Sequence, residues 1–318
     1  ITTSAVPSQI KTFFKRTVDT GIAHGTVTIM IDKTGYEVTT YRIDGEYEDG
    51  RHPKSVEFSD RLVDDLCRRD FTINAMAYND TDGFVDEFKG LDDLDTKIIR
   101  CVGEPELRFT EDALRMMRAI RFSAQLGFTI DEATWNAIKK LSPSISKISM
   151  ERVHVELGKT LMSAHPDYVA QYSEAGLFAP ILPVIDNALK SRYKRKILAT
   201  LQHTPDNIYL RYAALFITST PDEAAKTLRA LKLDNKTVNT VSKLVELSKM
   251  DIEETEPAVR TALNKYGRDF LPLWHELMMA VIQASEDITG ISNPAKVKHL
   301  LTLKRLGTDI LARGDCFT

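Results

Sequence analysis

The spacing of apolar residues changes once along this chain, near Glu104, and that change decides the class of fold. Before it, residues 25–32 and 36–42 alternate as β-strands do, and Lys33-Thr34-Gly35 between them is typical of a hairpin turn. After it, apolar residues recur with helical spacing, and prolines separate successive stretches. The sequence therefore predicts an α+β protein, in which a head with a small mixed, mostly antiparallel sheet precedes all-α domains.

Composition limits the classes of protein to which the chain can belong. A length of 318 residues allows two or three domains, and 43% apolar residues suffice for a buried core. No apolar run approaches the roughly 20 residues of a membrane span. The widely spaced Cys67, Cys101 and Cys316 are typical of reduced thiols in a cytoplasmic protein. A net charge of −3 indicates no global affinity for nucleic acid, although a local basic face is enough to bind phosphates. Nothing here indicates an oligomeric state.

A stripe of charged residues is the sharpest chemical feature of the helical part. Asp112, Arg115, Arg118 and Arg121 follow one another at steps of three. Thr110 is expected to cap the start of a single helix here, with acids in its first turn, where the helix dipole favours them. Because a helix turns about 100° per residue, the stripe winds slowly along it, one carboxylate followed by three guanidinium groups.

A nucleoside triphosphate would use such a stripe. Asp112 beside Arg115 offers an acceptor next to a donor. Cytosine and adenine present an amino group next to an acceptor ring nitrogen, whereas uracil and guanine present the reverse order. The pair would accept C and A and reject U and G, since the wrong base leaves buried polar groups unpaired. A solvated helix face with ion pairs three residues apart also explains these charges, and both interpretations stay open on this segment alone.

Four segments together resemble the class II tRNA nucleotidyltransferase/poly(A) polymerase family, which includes the CCA-adding enzymes. The first is Arg68-Arg69-Asp70-Phe71-Thr72-Ile73-Asn74-Ala75, and the second is Glu111-Asp112-Ala113-Leu114-Arg115-Met116-Met117-Arg118. The third is Ser149-Met150-Glu151-Arg152 with Glu156-Leu157, and the fourth is Gly25-Thr26-Val27 with the strand after it. The resemblance runs from Ile1 to about Pro183, and is most like a bacterial CCA-adding enzyme.

The resemblance implies three successive domains with different functions. Residues 1–102 would form a polymerase-beta-like nucleotidyltransferase head that lacks its N-terminal catalytic part. Residues 103–163 would form a helical neck that selects the nucleotide, and residues 164–318 a helical body that binds tRNA. The implied activity is metal-dependent addition of C, C and A to the tRNA 3′ acceptor end, with CTP and ATP as substrates and Mg²⁺ as cofactor.

The family's metal ligands are an Asp-x-Asp pair that follows a Gly-Gly…Arg-Asp phosphate loop, and no such arrangement occurs in this sequence. The chain opens Ile1-Thr2-Thr3-Ser4-Ala5, which resembles the residues just after that pair. We therefore expect the Mg²⁺ ligands upstream of Ile1, assign no metal ligand within the chain, and expect the polypeptide as given not to transfer nucleotides by itself. Glu37 would be a third catalytic carboxylate or, equally, a solvated strand residue.

The resemblance also implies roles for the charged residues. Arg69 and Asp70 would reach the phosphates and ribose of the incoming nucleotide. Asp112 and Arg115 would select its base, and Arg118 and Arg121 would neutralise its triphosphate. In the body, Arg192, Lys194 and Lys196 would grip phosphates of the tRNA acceptor arm, unless they form a solvated helix face.

The segment from Asp44 to Pro53 has no apolar period, which predicts a mobile loop. A loop of this kind is typical of family members that add all three nucleotides, since it lets one pocket switch from C to A. The alternatives within the family are a poly(A) polymerase and an A-adding enzyme. An alternative of a different class is a non-catalytic RNA- or nucleotide-binding protein.

Overall fold

The computed structural model describes residues 1–45 and 55–314, which divide into two compact units. The first unit consists of Ile1–Ala119 and Phe128–Lys147, and the second of Ile120–Gly127 and Ile148–Thr318. The α+β class is confirmed, because strands occur only in the first unit among the described residues. The division into head, neck and body at residues 102 and 163 stays a prediction.

A four-stranded mixed sheet forms the centre of the first unit's amino-terminal part. In spatial order its strands are Thr2–Thr3, Thr34–Thr40, Thr26–Ile31 and Thr17–Gly21. Only the pair between the first two is parallel, so the predicted hairpin and the mixed sheet are both present. Alternate residues point to opposite faces, and one face packs Val27, Ile29 and Val38 against Ile10 of the Pro7–Phe13 helix.

Three two-stranded ribbons complete the strands of this unit. Arg42–Asp44 pairs with Val56–Phe58, Ala77–Asn79 pairs with Gly83–Val85, and Ile98–Ile99 pairs in parallel with Thr129–Ile130. The remaining helices of this unit are Leu62–Cys67, Gly90–Asp95, Pro105–Glu111, Glu132–Leu141 and the first part of Leu114–Leu126.

The helix Gly90–Asp95 fixes the segment that carries the Arg-Arg-Asp sequence. Asp86 accepts hydrogen bonds from the backbone N–H groups of Gly90 and Leu91 at 2.7 and 2.8 Å, which caps the helix. A Cβ on Gly90 would lie 2.3 Å from the carbonyl oxygen of Thr72, so only glycine permits this approach. The Thr72 hydroxyl donates to Asp93 at 2.7 Å, which ties the two segments together.

The single helix expected from Thr110 onward is wrong, because the chain breaks at Asp112. One helix, Pro105–Glu111, ends there, and a second, Leu114–Leu126, begins. Asp112 has extended backbone angles (φ −146°, ψ 104°), and its carboxylate accepts the N–H of Leu114 at 3.0 Å. A short acidic side chain competes well for the free N–H groups at a helix start, so it ends one helix and caps the next.

The second unit is helical throughout its described residues. Besides the end of Leu114–Leu126, it contains ten α-helices: Met150–Leu161, Ala170–Glu174, Pro183–Lys190, Lys194–His203, Ile208–Leu215, Pro221–Ala230, Asn235–Leu247, Glu256–Tyr266, Phe270–Thr289 and Pro294–Arg313. Four of them have proline at the first or second position, where its missing N–H costs nothing. Within the described ranges, no helix has the length and apolar character needed to cross a membrane.

Candidate functional site

A cavity of about 540 Å³ opens beside the sheet of the first unit. Three parts of the unit form its wall: the sheet edge, the end of the Leu62–Cys67 helix with the arginines after it, and the Ala77–Asn79 strand. The lining residues are Ile1, Thr2, Glu37, Thr39, Tyr41, Leu62, Asp65, Arg68, Arg69, Met76, Ala77, Tyr78 and Asn79. Glu37, Arg68 and Arg69 thus come together around one space.

Asp65 anchors both arginines in the cavity wall. It is fully buried, and its Oδ1 accepts Nε and Nη2 of Arg68 at 2.9 and 2.6 Å. Its Oδ2 accepts Nη2 of Arg69 at 3.2 Å. Sequence reasoning missed Asp65, although its position three and four residues before the arginines is the spacing of helical ion pairs.

Arg69 is only partly satisfied by the protein. Its Nη1 donates to the carbonyl of Asn74 at 3.1 Å, and its side chain is 33% exposed. Its Nε is buried and has no hydrogen-bond partner among the described residues. Because buried N–H groups rarely lack a partner, this donor marks Arg69 as a candidate ligand-binding residue.

Asp70 and Arg118 form a fork that joins the two main sequence motifs. Nε and Nη2 of Arg118 both lie 2.6 Å from Oδ2 of Asp70. Oδ1 of Asp70 accepts the N–H of Phe71 at 3.0 Å and the amide of Asn74 at 3.4 Å. Asp70 is nearly buried at 9% exposure of its side chain, whereas Arg118 is 33% exposed. Arg118 is therefore the more solvent-exposed partner of the fork.

Arg115 holds the helix start against the Arg-Arg-Asp segment. Its Nη2 donates to the carbonyl of Arg68 at 3.0 Å, and its Nη1 donates to the carbonyl of Arg108 at 3.2 Å and to Glu111 at 2.5 Å. The N–H of Arg115 donates to the carbonyl of Asp112 at 3.0 Å, which keeps these two residues on one turn. The predicted base-selecting pair is therefore adjacent, although Asp112 lies outside the helix.

Arg121 lies in the second unit and pairs with different residues. Its Nε donates to Glu156 at 2.6 Å and its Nη1 to Gln125 at 2.7 Å. Its side chain is 7% exposed and that of Glu156 is 5% exposed. A triphosphate contact at Arg121 would require this pair to open. The structure therefore does not group Arg121 with Arg69 and Asp70.

The described residues do not form a magnesium site. Over residues 1–45 and 55–314, no group of three or more His, Cys, Asp or Glu side chains is placed to hold a metal ion. Glu37 is exposed and lines the cavity, but its acidic neighbour Asp65 already binds two guanidinium groups. Mg²⁺ needs several oxygen ligands, which these residues do not supply, so no step through a metal follows from them.

The predicted RNA-binding residues lie at the start of the Lys194–His203 helix in the second unit. Arg192 is exposed and stacks on Tyr193, with its guanidinium carbon 4.9 Å from the ring centroid. Lys194 pairs with Glu174 at 2.7 Å, and Lys196 is exposed. The predicted mobile loop, Asp44 to Pro53, falls largely on residues 46–54, outside the described residues; the strands that flank it are paired.

Comparisons with known proteins agree on one family. A family model described as "Poly A polymerase head domain" matches residues 1–100, and one described as "Probable RNA and SrmB- binding site of polymerase A" matches residues 127–189. A CCA-adding enzyme of Streptococcus suis (strain 05ZYH33) is 37% identical over 312 residues, 95% of this chain and 74% of that protein. A CCA-adding enzyme of Ligilactobacillus salivarius (strain UCC118) is 53% identical over 166 residues, 52% of this chain and 41% of that protein.

A solved structure is similar along nearly the whole chain. The Bacillus stearothermophilus CCA-adding enzyme in complex with CTP has a TM-score of 0.72 and 30% identity, covering 98% of this chain and 72% of that one. The chain spans about half the length of several of the curated relatives that it matches.

Proposed function

Because the chain belongs to the class II CCA-adding enzyme/poly(A) polymerase family, we propose that it acts in the addition of C, C and A to the 3′ end of tRNA, with CTP and ATP as substrates. One observation carries the proposal: the Arg118–Asp70 fork joins two charged segments that lie 48 residues apart in sequence. If these charged residues only formed a solvated helix face, the two segments would not need to be in contact. A nucleotide site needs them in contact, because groups that bind phosphate, ribose and base must surround one ligand.

Base selection is the role that we propose for Asp112 and Arg115. The carboxylate of Asp112 accepts the amino group of cytosine or adenine, and Arg115 donates to the adjacent ring nitrogen. The contacts of Arg115 described above use both hydrogens of Nη1 and one of Nη2. Its Nε–H and a second Nη2–H remain as donors for a base. In uracil and guanine the ring N–H would meet an N–H of Arg115, so two donors would oppose each other and these bases are rejected.

Phosphate and ribose binding is the role that we propose for Arg69, Asp70 and Arg118. The buried Nε–H of Arg69 has no partner among the described residues, and the side chain of Arg118 is 33% exposed. The planar fork of a guanidinium group matches the geometry of phosphate oxygens. The phosphate contact predicted for Arg121 would require its buried pair with Glu156 to open first.

Transfer itself is metal-dependent in this reaction class, and bound metal ions would supply charge stabilisation for the transferred group. Glu37 is the described carboxylate that we propose to face them. Arg192, Lys194 and Lys196 are proposed to hold the tRNA acceptor arm through its phosphates. A cytoplasmic location is part of the same proposal.

The test is an extension assay on a tRNA that ends just before its CCA sequence, read on a gel at single-nucleotide resolution. The chain is assayed as it stands and after extension at Ile1 with a Gly-Gly…Arg-Asp loop and Asp-x-Asp segment from a family member. For the extended protein we expect two additions with CTP alone, three with CTP and ATP, and none with UTP or GTP.

Each other outcome has a distinct meaning. A run of many A residues from ATP alone indicates a poly(A) polymerase, and a single A on a tRNA that already ends in CC, with no C addition, indicates an A-adding enzyme. Binding of nucleotide and RNA without extension by either protein indicates a non-catalytic binding protein. The Arg118→Ala variant of the extended protein, which removes the fork, is the matched negative control.

A further inference from the structure

Two large aromatic side chains stand exposed next to the cavity of the first unit. Tyr78 and Phe84 are 61% and 64% exposed, and they lie directly opposite each other on the antiparallel ribbon of Ala77–Asn79 and Gly83–Val85. Their ring centroids are 5.0 Å apart, with planes inclined by 53°. They thus form one continuous aromatic surface, which we call the aromatic pair.

The ribbon holds the aromatic pair in place. The side-chain oxygen of Asn79 accepts the N–H groups of Thr81 and Asp82 at 2.8 and 2.7 Å, which closes the turn. The Tyr78 hydroxyl lies 3.3 Å from a carboxylate oxygen of Asp80. Two rings fixed on a tight ribbon lose little conformational entropy when a ligand covers them, so the surface is suited to binding.

Packing within the first unit does not explain the aromatic pair. Both rings are more than half exposed, and neither belongs to the clusters around Val27 or Leu66. Tyr78 instead forms part of the cavity wall together with Arg68, Arg69 and Glu37. Large exposed apolar side chains in contact with one another often mark a binding surface.

We propose that the aromatic pair stacks the last unpaired base at the 3′ end of the acceptor RNA, an inference that rests on the function proposed above. The growing end presents a different base after each addition, so hydrogen-bond readout would reject some of its own intermediates. Stacking on an aromatic ring tolerates every base, because every base has a π-face. The sugar and 3′ hydroxyl then point into the cavity towards Glu37.

Charge sets the direction of the strand across this surface. Asp80 and Asp82 lie in the turn at one end of the ribbon, where they repel phosphates. Arg68 and Arg69 line the same cavity as Tyr78, where they attract phosphates. A single strand therefore runs from the aromatic pair towards the arginines and not over the turn.

The test is equilibrium binding of a tRNA whose last nucleotide, just before the CCA position, is 2-aminopurine, whose fluorescence falls when it stacks. No transfer is needed. The variants are Tyr78→Ala, Phe84→Ala and the conservative Tyr78→Phe. Phe13→Ala is the matched control, since Phe13 is 77% exposed on the Pro7–Phe13 helix and does not line the cavity. CTP affinity and the thermal midpoint are measured on the same samples.

We expect wild type and Tyr78→Phe to quench the probe, and both alanine variants to lose quenching and bind this RNA about tenfold more weakly. The thermal midpoint stays unchanged in all of them, as do CTP affinity in Phe84→Ala and RNA binding in Phe13→Ala. The inference is overturned if the alanine variants quench as wild type does. It is also overturned if they weaken CTP and RNA binding together with a fall in thermal midpoint, or if they alter self-association alone. Wild-type protein that binds CTP but no RNA contradicts the proposed function itself, and this inference with it.

Discussion

Arg118 and Arg121 lie three residues apart on the same helix, and each donates its Nε–H to a carboxylate at 2.6 Å. Their surroundings differ. Arg118 belongs to the first unit, pairs with Asp70 and is 33% exposed. Arg121 belongs to the second unit, pairs with Glu156 and is 7% exposed.

The difference separates two uses of the same ion pair. A partly exposed fork can exchange hydrogen bonds with an incoming phosphate, because water screens any charge that loses its partner. A fork in which both partners are buried cannot exchange its hydrogen bonds in this way, because releasing one partner leaves the other as an unpaired buried charge. Arg118 is therefore suited to ligand binding, and Arg121 to holding the helix against the rest of its own unit.

The largest expected effect is on stability, at Glu156. Replacing Glu156 with Gln leaves Arg121 as a buried charge without its counter-charge, so the free energy of unfolding should fall by about 3 kcal/mol. Affinity for CTP should change by less than about twofold. Urea unfolding and CTP titration check this, with Glu174→Gln as the control, because the exposed Glu174–Lys194 pair contributes less than about 1 kcal/mol. Full stability with weakened CTP binding would instead make Arg121 a phosphate ligand.

At Arg118 we expect the reverse pattern. Arg118→Ala removes charge-assisted hydrogen bonds to the triphosphate, worth about 2 kcal/mol, so the Kd for CTP should rise roughly 30-fold. Calorimetric titration measures this. Arg100→Ala is the control, since Arg100 also pairs with two carboxylates of the first unit, Asp93 and Asp131, but lies outside the segments to which we assign nucleotide binding. Equal losses in the two variants would remove Arg118 from the nucleotide site.

At Asp112, a substitution can change nucleotide specificity and still cap the helix that follows. Asparagine caps helices as well as aspartate does, yet its amide can donate to the carbonyl of uracil. Asp112→Asn should therefore lower the ratio of the Kd for UTP to the Kd for CTP by about tenfold. Equilibrium titrations of both nucleotides with wild type and variant measure this ratio. Asp131→Asn changes the cap of the Glu132–Leu141 helix and should leave the preference intact. An unaltered preference in Asp112→Asn rules Asp112 out of base selection.

The smallest expected effect concerns the exposed cations of the second unit. Reversing the charge of Arg192, Lys194 and Lys196 to Glu should weaken tRNA binding several-fold. It should also make the dependence of log K on log salt concentration shallower by about one unit per lost phosphate contact. The same reversal at Lys226, Arg229 and Lys232, also exposed in this unit, controls for net charge. Identical salt slopes for both triple variants would mean that only overall charge matters.

Much of the fold could be predicted from local patterns. The hairpin followed from alternation and a turn, and helices such as Glu132–Leu141 and Asn235–Leu247 followed from apolar spacing. The break at Asp112 was not predicted, because an acid three residues before an arginine fits both a first helical turn and a cap.

The composition of the candidate site was predictable, but its arrangement was not. The sequence identified Arg69, Asp70, Arg115 and Arg118 as chemically important. It did not reveal that Asp65 is the buried anchor of two arginines, nor that Arg121 faces Glu156. A spacing of three places residues near one another on a helix and contains no information about which packed unit each side chain enters.

The most direct test of the account is the affinity of this chain for each of the four nucleoside triphosphates, measured by calorimetry without RNA. We expect CTP and ATP to bind with similar Kd, and UTP and GTP to bind at least about tenfold more weakly, because their pairing edges present a donor where Arg115 also donates. Equal affinity for all four, or no binding of CTP and ATP, would contradict the assignment of Asp112 and Arg115 as the groups that choose the base.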